Sequence, residues 1–117
     1  MTLTKNKLPE VWADVLASVS DFTEIQQQSF DVISSGQNVL ATSPTGTGKT
    51  LAYLLPSLLK VKKKQGQQLL ILAPNSELAG QIFEVVKSLA EPLSLSANLI
   101  ISSASIKRQI ERIKKGA

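Results

Sequence analysis

The sequence is short of the residues that most often carry chemistry. It has no cysteine and no histidine in 117 residues. The first absence excludes a disulfide scaffold and a thiolate metal site, and the second removes the commonest zinc ligand. A Ser-His-Asp triad is excluded with them. Aromatics are scarce at 4%, with one Trp, one Tyr and three Phe. No apolar run approaches the roughly 18–20 residues that span a bilayer. The longest, over residues 51–59, is interrupted by Pro56 and reads as a buried helix. The N-terminal residues hold two lysines but no signal-peptide core, so the expectation is a cytoplasmic protein with no membrane partner.

What remains is an ordinary globular composition, 43% hydrophobic and 19% charged. That is one small domain at most, burying roughly two-thirds of its unfolded surface. The net charge of +4 is unevenly placed. Residues 1–59 hold three lysines against five acids, whereas residues 60–117 hold ten bases against four glutamates. A basic half attracts polyanions or simply solvates a helix face, and composition alone leaves both open.

The hydrophobic pattern alternates. Residues 8–18 place Val11, Trp12, Val15 and Leu16 at helical spacing behind Pro9. Thr23 followed three residues on by Gln26 is a capping-box signal for a second helix, which Gly36 ends. Residues 38–41, 68–73 and 95–101 are short apolar runs that read as strands, the second as a fully buried one. Each precedes a helix, over about 49–60, 76–90 and 105–115. Three such alternations predict an α/β fold with a parallel sheet covered by helices. Residues 62–68, KKKQGQQ, form a local polar turn.

The strongest chemical signal is Ser43-Pro44-Thr45-Gly46-Thr47-Gly48-Lys49-Thr50. It departs from the G-x-x-x-x-G-K-[ST] phosphate loop only in Ser43, and it sits between a strand and a helix as that chemistry requires. Gly46 and Gly48 let the backbone curl so that successive N–H groups face one anion-sized hollow. The helix N-terminus adds partial positive charge. Lys49 reaches the β- and γ-phosphates, and the Thr50 hydroxyl is placed to ligate Mg²⁺.

Three segments in order resemble the first RecA-like domain of the DEAD-box RNA helicases. Phe22-Thr23-Glu24-Ile25-Gln26 resembles the end of that family's adenine-sensing Q motif, residues 41–50 its motif I, and Ala73-Pro74-Asn75-Ser76-Glu77-Leu78-Ala79-Gly80-Gln81 its motif Ia. The resemblance implies a three-layer α/β/α RecA-like fold and ATP with Mg²⁺ as cofactors. Gln26 is then the adenine reader, with Thr23 supporting the phosphate loop, and the alternative for both is the capping box alone. An amide that donates and accepts matches adenine N7 and N6–H, and meets a mismatched acceptor on guanine. The family often stacks an upstream aromatic on the base. Trp12 does not fit that spacing and is assigned to the core.

The resemblance also implies RNA contact through Pro74, Asn75, Ser76 and Glu77, and through Ser102 and Ser103, which stand where the family has a Gly pair. Ser76 replaces the family's Arg, removing a charge-assisted donor. Asn75 or Ser76 can equally cap the next helix. Lys107, Arg108, Arg112, Lys114 and Lys115 make a basic helix, read first as a solvated face. No Asp-Glu-Ala-Asp motif is present, and the arginine finger of a second RecA-like domain is absent as well. The resemblance therefore implies the N-terminal portion of a longer helicase, unable to hydrolyse ATP alone, with an incomplete sheet and an open edge. RNA, single-stranded or duplex, and the second RecA-like domain are the implied partners. A non-catalytic nucleotide- or RNA-binding module and a P-loop ATPase outside the helicases are the competing readings.

Overall fold

A computed structural model describes residues 3–44 and 48–116. The chain divides into two compact units, Met1–Lys60 and Val61–Ala117.

The first unit is built on two helices, α1 (Glu24–Ser34) and α2 (Lys49–Leu58), which pack against each other. The start of α1 is the capping box that the sequence predicts. Thr23 Oγ1 accepts from Gln26 N at 3.4 Å, and Gln26 Oε1 accepts from Thr23 N at 2.9 Å. Its end is a Schellman arrangement. Gly36 takes φ +85°, its N–H donates to Ile33 O at 3.0 Å, and Gln37 N–H donates to Val32 O at 3.3 Å. The apolar run of α2 is buried through Ala52, Leu54, Leu55, Pro56 and Leu58.

The N-terminal segment corrects one expectation. Residues 8–18 are not an α-helix. They form a 3₁₀ turn, Glu10–Trp12, and further turns through residue 18. The backbone bonds from Leu8, Trp12, Ala13, Ala17 and Val19 close on the residue three back, and that from Leu16 on the residue four back. Leu8, Trp12 and Leu16 still reach the core, Trp12 with no exposure. Of the expected apolar positions Trp12 and Leu16 are buried, Val15 is half-buried and Val11 is 52% exposed, because tight turns do not keep one helical face. Gln27 straps the chain start to α1: its Oε1 accepts from Leu3 N and its Nε2 donates to Leu3 O at 2.9 Å.

The second unit holds α3 (Ser76–Ala90) and α4 (Ile106–Lys115). Asn75 caps α3 by accepting from Leu78 N at 2.8 Å, and Ser105 caps α4 by accepting from Arg108 N at 3.4 Å. Val86, Leu89 and Ala90 are the buried face of α3. Gln109 is the buried residue of α4. It accepts from Ile101 N at 2.7 Å and donates to Ala104 O at 3.5 Å, bracketing the turn that carries Ser102 and Ser103.

The expected parallel sheet is not confirmed. Among the described residues none is in a strand, and residues 38–41, 68–73 and 95–101 are irregular. Leu40 is 94% exposed, and Leu70 and Leu72, expected in a fully buried strand, are 79% and 84% exposed. A strand exists only through hydrogen bonds to a neighbour, and its apolar side chains are buried only under a second layer. These segments have the side chains of buried strands but no ladder partner.

Candidate nucleotide-binding site

The residues of the two nucleotide motifs in the first unit meet at the start of α2. Gln26, only 4% exposed, donates from Nε2 to Gly48 O at 3.2 Å, across 22 residues of sequence. The same carbonyl accepts the first helical bond, from Ala52 N at 3.1 Å. Gly48 has φ +84°, in the left-handed region. A Cβ there would overlap Gln26 Nε2 and lie 3.2 Å from Gln26 Cδ and 3.4 Å from Thr23 Oγ1. Glycine is therefore required twice, by backbone conformation and by the approach of the Gln26 amide. Thr23, Gln26 and Gly48 form one contact set.

The helix start has an electrostatic character of its own. α1, α3 and α4 each have a side chain capping their first turn, whereas α2, which starts behind Gly48, has none among the described residues. The N–H groups of Lys49, Thr50 and Leu51 lie too early in α2 for an intrahelical bond. Such N–H groups, together with the helix dipole, favour an anion. Lys49 is exposed beside them, and Ser43 and Pro44 lie in the irregular segment that leads toward the helix. Thr45, Gly46 and Thr47 lie outside the described residues.

Thr50 is half-buried one residue into α2, and a hydrogen bond joins its side chain to that of Tyr53. Burial pushes the Tyr53 hydroxyl above its ordinary value of 10.0, and the Thr50 bond offsets part of that rise. Tyr53 therefore stays protonated at neutral pH and fixes the Thr50 side chain. It was not singled out from the sequence, although its place one turn after Thr50 on a helix was the available signal.

Among the described residues no group of three or more acidic side chains is placed to hold a metal. A cation here would take Thr50 and the phosphates it accompanies as ligands. The residues present fit a nucleotide: a helix start without a side-chain cap, a glycine whose Cβ would be blocked, an exposed lysine and an oriented amide. Among them, no helix is long and apolar enough to cross a membrane.

The residues singled out for RNA lie on two turns of the second unit. Pro74, Asn75, Ser76 and Glu77 are exposed at the start of α3, and Ser102 and Ser103 are exposed before α4. The Asn75 side-chain oxygen is engaged in the α3 cap, so only its amide nitrogen can reach a ligand without breaking that cap.

Residues 23–117 match the model of the DEAD/DEAH box helicase family. The chain is 46% identical over 109 residues to the DEAD-box ATP-dependent RNA helicase CshC of Bacillus cereus, covering 92% of this chain and 28% of that protein. It is 46% identical over 94 residues to the probable ATP-dependent RNA helicase YfmL of Bacillus subtilis, covering 80% of this chain and 25% of that one. The crystal structure of the RNA helicase Prp28 from Chaetomium thermophilum bound to ADP superimposes with a TM-score of 0.80 at 30% identity, over 99% of this chain and 30% of that one. That likeness supports a RecA-like helicase fold for the chain. The chain thus spans little more than a quarter of the length of these relatives, and by the family match it belongs to the DEAD/DEAH box helicases.

Proposed function

We propose that this chain is the ATP-binding, N-terminal portion of the first RecA-like domain of an ATP-dependent RNA helicase. The contact between Gln26 and Gly48 carries the reading, because it ties a base-reading amide to the start of a phosphate-binding helix. A glutamine amide has two protons and two lone pairs. In Gln26 one lone pair is engaged by Thr23 N and one proton by Gly48 O. One donor and one acceptor remain, which is the complement of adenine N7 and N6–H. Guanine offers acceptors at both positions and leaves the amide oxygen opposed.

ATP is then held by Gln26 and Thr23 at the base end and by the segment from Ser43 to Thr50, with Thr45, Gly46 and Thr47 included, at the phosphate end. Lys49 places positive charge at the phosphates, and Thr50 offers its hydroxyl to Mg²⁺; these two are the catalytic residues we assign. Bound ATP supplies a phosphoryl group whose transfer to water releases the free energy for work on RNA. Transfer also needs the family's Asp-Glu-Ala-Asp acids and an arginine finger from a second RecA-like domain, neither of which stands in these 117 residues, so the chain alone is expected to bind nucleotide without appreciable hydrolysis. Pro74, Asn75, Ser76, Glu77, Ser102 and Ser103 form the RNA side, contacting single-stranded or duplex backbone through exposed turns. Residues 38–41, 68–73 and 95–101 become strands of a three-layer α/β/α parallel sheet once neighbouring strands are supplied. Their uncovered leucines support this, and a cytoplasmic location fits the same reading.

Isothermal titration with ATP and GTP, both with Mg²⁺, tests the proposal. ATP should bind more tightly than GTP, and Lys49→Ala should abolish binding of both. Equal affinity for the two nucleotides would remove the adenine role of Gln26. Unchanged ATP affinity in Lys49→Ala would remove the phosphate site itself.

A further inference from the structure

The Lys62-Lys63-Lys64 turn has no part in the nucleotide reading or in the RNA turns, yet the structure joins it to a second basic segment. Gln67, just after the turn, donates from Nε2 to Ile113 O in the last turn of α4 at 3.1 Å. At the same helix end, Asn98 donates to Arg112 O at 3.3 Å, and Ser96 donates to Gly116 O at 3.4 Å. The exposed Lys62, Lys63 and Lys64 are thereby brought to the end of α4 that carries the exposed Arg112, Lys114 and Lys115. Two segments about fifty residues apart, each with three exposed cations, are joined by the Gln67 bond.

The turn is held in shape. Gln68 accepts from Lys62 N at 3.0 Å and donates to Lys62 O at 2.6 Å and to Gly66 O at 3.3 Å. Lys64 adopts φ +61°, in the left-handed region that disfavours a lysine. A long charged side chain kept in that conformation at an exposed turn is the kind of local strain that accompanies a binding role. Two acids lie near this end of the second unit. Glu111 is flanked on α4 by Lys107 and Lys115 at four-residue spacing and by Arg108 and Lys114 at three, so it is outweighed on its own face. Glu91 lines a cleft of about 180 Å³ with Ser96 and is accompanied there by Lys87. The balance stays strongly positive.

The patch also stands apart from the Ser102–Ser103 turn. Gln109, nearer the start of α4, holds Ile101 N beside Ser102, whereas the basic end lies by Ser96 and Asn98. A ten-residue helix separates the two by roughly 15 Å. No aromatic residue occurs at 61–68 or 95–116, so bases have nothing to stack on. We infer that Lys62, Lys63, Lys64, Arg112, Lys114 and Lys115 form a second RNA-binding surface, which takes phosphate backbone without regard to sequence.

Fluorescence anisotropy with the 117-residue chain and a labelled mixed-sequence single strand of about 20 nucleotides tests it across a salt series. Two triple variants, Lys62→Gln/Lys63→Gln/Lys64→Gln and Arg112→Gln/Lys114→Gln/Lys115→Gln, address the two halves separately. Each should reduce the slope of log K against log salt by about 2, at about 0.7 per phosphate contact on single strands. Between 50 and 200 mM salt the wild type should then lose about 16-fold more affinity than either variant. Lys62→Arg/Lys63→Arg/Lys64→Arg should keep the wild-type slope, and uridine-only and adenosine-only strands should bind alike. Ser102→Asp/Ser103→Asp reports on the other end of α4, so failure of the turn reading is seen separately. The inference is overturned if both glutamine variants keep the wild-type slope. It is overturned equally if they lose binding to phosphatidylserine vesicles while RNA binding stays intact, which would make the patch a membrane surface.

Discussion

Gly48→Ala puts the contact between the two nucleotide motifs under direct test. The substitution meets two obstacles that add. Alanine in the left-handed region that Gly48 occupies costs roughly 1–2 kcal/mol. Its Cβ also cannot coexist with the Gln26 amide where it now lies, so Gln26 must turn away from Gly48 O. That loses a hydrogen bond worth about 0.5–1.5 kcal/mol. If Oε1 leaves Thr23 N in the same movement, half of the capping box goes too, for about another 0.5–1 kcal/mol. The expected destabilisation is roughly 2–4 kcal/mol, read as a lower urea midpoint at unchanged m-value. In a Gln26→Ala background the overlap is gone and only the backbone cost remains. The double-mutant cycle over Gln26 and Gly48 should therefore show a coupling of about 1 kcal/mol or more. Additive effects, or a Gly48→Ala protein within about 0.5 kcal/mol of wild type, would refute the contact and the link it makes between base and phosphate ends.

Three further outcomes follow from named contacts. Tyr53 titrates above its ordinary value when folded, so the folded state keeps its proton longer than the unfolded chain does. Its contribution is complete below pH 10 and is lost as pH rises through the folded value, so Tyr53→Phe should flatten that alkaline fall in urea-measured stability. Asn75→Ala should lower stability by about 1 kcal/mol through loss of the α3 cap, while Asn75→Asp should retain most of it; equal losses would show that the cap contributes nothing. Gln109→Leu leaves Ile101 N without its acceptor and should cost about 1–3 kcal/mol, with faster amide exchange at Ile101 as the local readout.

What could be read from the sequence is what depends on near neighbours in it. The capping box needs only Thr23 and Gln26, and the α3 cap only Asn75 and Leu78, so the sequence predicts the first outright and narrows the second to Asn75 or Ser76. The helix limits at 76–90 and the Schellman glycine at 36 are equally local. Residues 8–18 failed for a related reason. Trp12 and Leu16 are buried although most bonds close on the third residue back, but Val11 is exposed, so a helical period placed only part of the buried face.

The strands differ from the helices in where their hydrogen bonds come from. A helix satisfies its own backbone, so α2 forms and presents its first N–H groups whatever becomes of residues 38–41. A strand borrows its bonds from another segment, and Leu40, Leu70 and Leu72 have side chains suited to a buried sheet that a local pattern cannot supply. The contact that joins the two motifs runs between helix starts, from Gln26 in the first turn of α1 to Gly48 before α2. It depends on α1 packing against α2, which the first unit contains. Nucleotide affinity should therefore be separable from completion of the sheet. Substituting Leu70 and Leu72 by Thr, which removes apolar surface outside that unit, should leave ATP affinity within about threefold of wild type, a free-energy change below about 0.7 kcal/mol. A loss of tenfold or more would show that the phosphate site takes its shape from the sheet and not from the two helices.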